Sequence, residues 1–300
     1  MESNVFITIF FPIALAIVMF GVGLSLVVDD FKRIVIYPKA VSLGLVGQLV
    51  LVPATGFIVA SIFPFSTPEF AVGLVVVAVC VGGSNSTLLN FLLRGDVPLS
   101  VTLSAFTNTL SVFTIPFLVN LALVKFMGSG QVIQLPVGET ISQLLLVTIA
   151  PLAIGMALNT RFPQLTTRAN RPVKIMSAIL LLIVIIGALF STWDIVWQGI
   201  REVGLPVIVL DITLMLMGYG FARLLRLDEA QRICMGIEFG IQNGVLASTI
   251  ASSSLLLNNP TMTLTTIIYS LLMLILAFGF GGVVNLLRKR SPESLNSPLF

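Results

Sequence analysis

The sequence predicts an all-α polytopic membrane protein whose nine transmembrane helices form an inverted repeat. Three observations predict it. The chain is 57% hydrophobic and 10% charged, with a mean hydropathy of +1.08, which leaves too little polar surface for a soluble domain. Its apolar runs divide into nine stretches, each near the ~20 residues that a membrane helix needs. Every Lys and Arg except Lys125 and Arg201 falls in an odd-numbered connection, at the end of a run that borders one, or after the ninth run. Such a bias puts those connections in the cytoplasm, with the N-terminus outside and the C-terminus inside.

The runs follow in order. The first, 5–28, comes after Met1-Glu2-Ser3-Asn4. It lacks a basic leader and is too long for a signal-peptide core, so it is expected to stay in the mature protein. The second, 38–62, carries Gln48 and Pro53. The third, 69–93, is interrupted by Gly82-Gly83-Ser84-Asn85-Ser86-Thr87. Asp96-Val97-Pro98 separates it from the fourth, 97–124. The fifth is 137–158 and the sixth 174–193, with Trp193 and Trp197 read as interfacial anchors at its outer end. The seventh, 203–224, contains Asp211. The eighth, 230–257, is interrupted by Glu238-Phe239-Gly240-Ile241-Gln242-Asn243-Gly244. The ninth, 261–287, ends at the basic cluster Arg288-Lys289-Arg290, and residues 291–300 read as a disordered cytoplasmic tail. Runs one to four and six to nine start on opposite sides of the membrane. The repeat therefore pairs the third run with the eighth, the two that are interrupted.

Those interruptions point to function. A membrane interior has no water for free peptide groups, so non-helical backbone persists there only inside protein or beside a water-filled cavity. Matched Gly-broken segments in two halves of a chain point to a transporter binding site. Glu238 is a carboxylate at mid-membrane, a placement that costs roughly 3 kcal/mol on insertion scales and demands a partner or a cavity. With the amides of Gln242 and Asn243 and freed backbone carbonyls it offers the hard oxygen ligands that alkali cations prefer. A protonated Glu bridging two helices is the other reading. Ser84, Asn85, Ser86 and Thr87 present further oxygens. Ser100 and Ser104 lie four apart on one helix face, with Asn108 a turn beyond; close packing alone is the competing account. Gln48 reads as a helix bridge or an ion ligand. Asp211 has three open readings: a proton site, a substrate contact or a protonated bridge.

Other classes find little support. No nucleophile elbow, phosphate loop or zinc-helix motif is present, and His is absent, which removes the commonest proton shuttle and metal ligand. An enzyme is therefore not expected, nor a cofactor beyond coupling ions. The net charge of +3 reflects topology and carries no nucleic-acid footprint. Cys80 and Cys234 read as small apolar residues at helix contacts. No obligate protein partner is inferred; the lipid bilayer is the expected surround.

The order and spacing of several motifs resemble the bile acid:sodium symporter family in its nine-span form. They are Phe20-Gly21-Val22-Gly23-Leu24-Ser25-Leu26 with Asp30-Phe31; Pro38-Lys39; Gln48 with Pro53-Ala54-Thr55; Gly82-Gly83 through Leu93-Arg94-Gly95-Asp96 and Leu99-Ser100; and Glu238 with Gln242-Asn243-Gly244-Val245-Leu246-Ala247. The resemblance implies a panel (5–28, 137–158, 174–193) and a core (38–62, 69–93, 97–124, 203–224, 230–257, 261–287) in which the broken helices cross. It implies one sodium site from Ser86, Thr87, Ser100, Ser104 and Glu238. A second would use Gln48, Glu238, Phe239, Ile241 and Gln242, with Phe239 and Ile241 acting through backbone carbonyls. Ser84, Asn85 and Asn243 would face the substrate. The chain departs from the family pattern at Thr87, where an amide is usual, at Val81, at Asp211 and near Ser270-Leu271-Leu272.

The expectation is a secondary transporter that couples sodium to uptake of a small organic anion by alternating access. A proton-coupled carrier or exporter is the first alternative, and a non-transporting membrane receptor the second.

Overall fold

The computed structural model describes residues 5–27, 36–128, 134–166 and 193–290, with isolated positions between 168 and 179. Ten helices make up this part of the chain. They are α1 (Val5–Gly23), α2 (Pro38–Ile62), α3 (Pro68–Val79), α4 (Ser84–Leu93), α5 (Val97–Met127), α6 (Val137–Arg161), α7 (Trp193–Leu224), α8 (Glu229–Gly240), α9 (Gly244–Ser252) and α10 (Pro260–Arg290). Among the described residues six helical stretches are long and apolar enough to cross a membrane; α8 and α9 together count as one of them. Apart from Met176, Ile179 and Trp193, the expected sixth run, 174–193, lies outside the described residues, as does the tail, 291–300.

Helix starts follow local chemistry. Pro occupies the first turn of α2, α3 and α5, where its missing N–H is harmless. Asp96 caps α5 by accepting from the Leu99 N–H at 2.9 Å, and Asp228 caps α8 through the Gln231 N–H at 2.9 Å. Such caps occupy donors that the first helical turn leaves free.

Two boundaries differ from expectation for a physical reason. The first helix ends at Gly23, with Leu24–Leu26 continuing as turns. The seventh run begins not at 203 but at Trp193. Asp194, Gln198, Arg201 and Glu202 dilute hydropathy there without breaking the backbone ladder, so a polarity reading stops short of the true helix. Trp193 and Trp197 accordingly belong to α7 rather than to the preceding run.

The two interrupted runs form the interior. Every residue from Phe70 to Gly83 and from Ile233 to Ser253 is buried, which gives their non-helical backbone the protein surround that a bilayer would deny it. α3 packs on α2, α5 and α10; α8 packs on α7, and α9 on α10 and α1. α1 lies mainly along α6. That contact is close because Gly23 and Gly155 face each other: a Cβ on Gly23 would meet the Leu152 carbonyl, and one on Gly155 the Phe20 carbonyl. Small residues permit such backbone approach between membrane helices.

Candidate cation site at the helix crossing

The breaks meet backbone to backbone. The Asn243 N–H donates to the Cys80 carbonyl at 2.9 Å, and Asn108 Nδ2 donates to the Gly82 carbonyl at 3.1 Å and to the Ser104 carbonyl at 2.6 Å. A Cβ on Gly82 would run into the Ile241 carbonyl, so glycine is required for the approach. Extended segments Cys80–Gly83 and Ile241–Asn243 thus satisfy part of each other's peptide groups. α4 and α9 both begin at this crossing. Asn243 caps α9, its Oδ1 accepting from the Leu246 N–H at 3.1 Å.

Glu238 stands at the end of α8 just before the break and is 1% exposed. Its Oε1 accepts from Ser100 Oγ at 2.6 Å and from Asn90 Nδ2 at 3.2 Å. Hydroxyl and amide donors aimed at one carboxylate oxygen make the charge-assisted bonds that a buried carboxylate needs. Thr87 Oγ1 lies 3.1 Å from Ser100 Oγ. Glu238, Ser100 and Thr87, drawn from α8, α5 and α4, therefore form one cluster. Ser104, the next turn of α5, is 2% exposed and its hydroxyl has no hydrogen-bond partner. Ser100, Ser104 and Asn108 all lie buried, as expected for one helix face, and the face runs along the crossing from Glu238 to Gly82. Ser86 is also buried, but its hydroxyl donates locally to the Gly83 carbonyl at 2.8 Å.

A second cluster lies around the peptide carbonyls of the α8 break. Gln48 sits in a single π-turn, Gly47–Leu51, within α2; such turns are frequent at functional sites. Its Nε2 donates to the backbone carbonyl of Glu238. Gln242 Nε2 donates to the Phe239 carbonyl at 2.6 Å. The side-chain oxygens of Gln48 and Gln242 are both buried without a hydrogen-bond partner. An unpaired buried oxygen is costly, so the two amide oxygens of residues bonded to the carbonyls of the α8 break, and the Ser104 hydroxyl one turn along α5 from Ser100, suit a small hard cation. The residues present fit sodium.

The remaining expected residues are more dispersed. Asn243 is 6% exposed with Nδ2 unpaired, and Asn85 is half-buried; the Ser84 side chain lies outside the described residues. Asp211 is not part of the Glu238 cluster. It contacts Tyr269, whose hydroxyl lies 3.3 Å from Asp211 Oδ1 and donates to the Gly240 carbonyl at 2.7 Å.

Sequence reasoning passed over two residues here, Asn90 and Tyr269. Asn90 had a readable signal, an amide in the apolar run Leu88-Leu89-Asn90-Phe91-Leu92, three and four positions after Thr87 and Ser86. Tyr269 had a weaker one, a lone hydroxyl-bearing ring in Ile267-Ile268-Tyr269.

Known proteins share this chain's sequence over most of its length. It is 29% identical to the P3 protein of Homo sapiens over 240 residues, covering 78% of this chain and 48% of that protein; the chain thus spans about half the length of that relative. It is 28% identical over 249 residues to the uncharacterized sodium-dependent transporter YocS of Bacillus subtilis, covering 83% of this chain and 74% of YocS. With the probable chloroplastic sodium/metabolite cotransporter BASS1 of Arabidopsis thaliana it shares 28% identity over 284 residues, 94% of this chain and 68% of that protein. The sequence pattern of the Sodium Bile acid symporter family matches residues 12–198. The match takes in more than half of the chain, from α1 into α7, and the chain belongs to the sodium bile acid symporter family.

Proposed function

We propose that this protein is a secondary transporter that couples sodium to the uptake of a small organic anion by alternating access. The observation that carries the reading is the Glu238 cluster, in which a buried carboxylate at a helix break accepts from Ser100 and Asn90 while the oxygens of Gln48, Gln242 and Ser104 are buried and unpaired. The relatives' names supply sodium independently. In this reading one sodium is held by Ser86, Thr87, Ser100, Ser104 and Glu238. A second is held by Gln48, Glu238 and Gln242 with the carbonyls of Phe239 and Ile241. The first cation neutralises Glu238 and draws α4, α5 and α8 together, and the second ties α2 to the α8 break.

The anion binds beside them. The N-termini of α4 and α9 carry partial positive charge and attract a carboxylate, and Ser84, Asn85 and Asn243 are the side chains nearest those termini in sequence. The panel comprises α1, α6 and the run 174–193; the core comprises α2–α5 and α7–α10. Movement of core against panel exposes the crossing to either side in turn. Orientation follows the basic residues, with the N-terminus outside and the C-terminus in the cytoplasm of a cell with a plasma (inner) membrane. A family of transporters gives no reason to assign an enzymatic activity.

Two measurements test the reading. Purified protein is screened by thermal unfolding against small carboxylates with and without sodium, and the stabilising compounds are followed into proteoliposomes under imposed gradients. Sodium-dependent stabilisation and inward sodium-driven uptake are expected. Uptake driven by a proton gradient alone, in the absence of sodium, would replace this reading with the proton-coupled one.

A further inference from the structure

We propose that Asp211, Tyr269 and the carbonyl of Gly240 form a proton-binding site on the face of α8 opposite Glu238. Positions 238 and 240 are two residues apart, about 200° around a helix of 3.6 residues per turn. The Glu238 side chain turns to α4 and α5, whereas Gly240 turns to α7 and α10. A Cβ built on Gly240 would lie 3.0 Å from Asp211 Oδ1, with the Met215 side chain also against it. Asp211 and Tyr269 are both 0% exposed.

Hydrogen-bond lengths identify the ligand. The tyrosine hydroxyl owns one hydrogen, which it directs to the Gly240 carbonyl at 2.7 Å, with Asp211 Oδ1 as the longer arm of the shared bond at 3.3 Å. An ionised carboxylate is the stronger acceptor and would take the shorter arm, so the geometry is that of a neutral acid. Asp211 Oδ2 has no hydrogen-bond partner, which an ionised carboxylate in an apolar interior does not tolerate.

Among the described residues no fixed cation takes the proton's place; Arg201 and Arg223 stand 10 and 12 positions from Asp211 on α7, about 15 and 18 Å along the helix. α7 packs chiefly on α2, α3, α8 and α10. Their titratable residues are Lys39; Glu69; Glu229, Arg232, Cys234 and Glu238; and Tyr269 with Arg288, Lys289 and Arg290. On α7 itself are Asp194, Arg201, Glu202, Tyr219 and Arg223. Glu229 is paired with Arg232 at 3.2 Å and accepts from Tyr219 at 2.9 Å, and Glu238 is committed to Ser100 and Asn90. Lys39 and the basic triplet stand at helix ends. Tyr269 is the one that meets Asp211.

Binding adds a solvent proton to the carboxylate and gives the acid. Its loss draws the Tyr269 hydrogen to the carboxylate and strips the Gly240 carbonyl of its donor. That carbonyl lies between those of Phe239 and Ile241, so proton occupancy reaches the second sodium set. This link rests on the sodium reading above, whereas the proton site does not.

Infrared difference spectroscopy of the purified protein at neutral pH tests the site. Wild type minus Asp211→Asn is expected to show the C=O stretch of a protonated carboxyl. Glu238→Gln retains that band, and Tyr269→Phe moves it to the position of a free acid. A carboxylate pair in its place, or no Asp211-dependent band, overturns the proposal. Should Asp211→Asn fail to fold, wild type minus Tyr269→Phe carries the same test, since an unmoved acid band excludes Tyr269 as partner. Radioactive sodium binding measured against pH tests the link. Asp211→Asn is expected to flatten the profile, and an unchanged profile overturns the coupling. Absence of sodium binding in wild type at any pH would instead overturn the sodium reading and leave the infrared result intact.

Discussion

Glu238→Gln removes one charge from the crossing while keeping the side chain's length and one acceptor oxygen. In the wild type Oε1 accepts from Ser100 Oγ at 2.6 Å and Asn90 Nδ2 at 3.2 Å. The glutamine oxygen can take both, so α4, α5 and α8 stay joined. Bonds to a charged group contribute about 1.5–3 kcal/mol and neutral ones about 0.5–1.5, so the pair loses roughly 2 kcal/mol. Relief of the buried charge offsets a comparable amount, and unfolding without sodium should change little. Sodium binding should change greatly. Unit charges about 4 Å apart attract by about 4 kcal/mol at an effective dielectric near 20, or roughly a thousandfold in affinity at 1.4 kcal/mol per decade. Radioactive sodium binding to purified protein reads that loss, and thermal unfolding without sodium controls for the fold. A Glu238→Gln protein that is well folded and binds sodium within about tenfold of wild type would refute the argument that this carboxylate is the ion's counter-charge.

Four further substitutions separate the parts of the crossing. Gln242→Leu removes an unpaired amide oxygen without touching Ser100, Thr87 or the Glu238 carboxylate; sodium stoichiometry should fall from two to one in equilibrium binding. Gly82→Ala pushes a methyl into the Ile241 carbonyl, an overpacking of about 1–3 kcal/mol, and should lower the unfolding temperature and abolish sodium protection together. Gly23→Ala creates a similar clash with the Leu152 carbonyl, also about 1–3 kcal/mol, but away from the ions. Thermal unfolding should fall there while sodium affinity in detergent holds. Asn90→Leu deletes one donor to Glu238, about 1.5–3 kcal/mol for a bond to a charged group, and should destabilise the protein in a melt without sodium.

The helical class, the breaks and the residues around Glu238 were legible in the sequence because a bilayer interior makes polar groups and glycines conspicuous. Gln48, Ser100, Ser104, Asn108, Glu238 and Gln242 each interrupt an apolar run, and helical spacing alone put three of them on one face. What spacing could not supply is which polar residue finds which partner across the chain. Asn90 reaches Glu238 from a different helix, and Asp211 reaches Tyr269 over 58 positions; such pairings depend on rotation and depth of two helices, which periodicity leaves free. The start of α7 escaped for the opposite reason. Hydropathy detects the part of a helix that lipid or core covers, whereas backbone hydrogen bonding continues through Glu202 and Arg201 back to Trp193.

The packing also bears on how a broken crossing could work as a carrier. Around the crossing, helices are tied by specific polar bonds: Asn243 to Cys80, Asn108 to Gly82, Ser100 and Asn90 to Glu238. α1 meets α6 through facing glycines and a carbonyl seam, and its other main contact is with α9. Directional bonds hold one geometry, whereas an apolar contact has no preferred register and can slide at little enthalpic loss. In the proposed reading the bonded bundle moves as a body against α1 and α6, and the bond from Gln143 Nε2 to Ser253 Oγ at 3.4 Å is a polar contact that this motion would break. The crossing, with its ions in place, would travel inside the rigid part. Coupling then requires only that sodium at Glu238 decide whether α4, α5 and α8 form a single block, because an unneutralised carboxylate would resist the bilayer depth that the motion crosses.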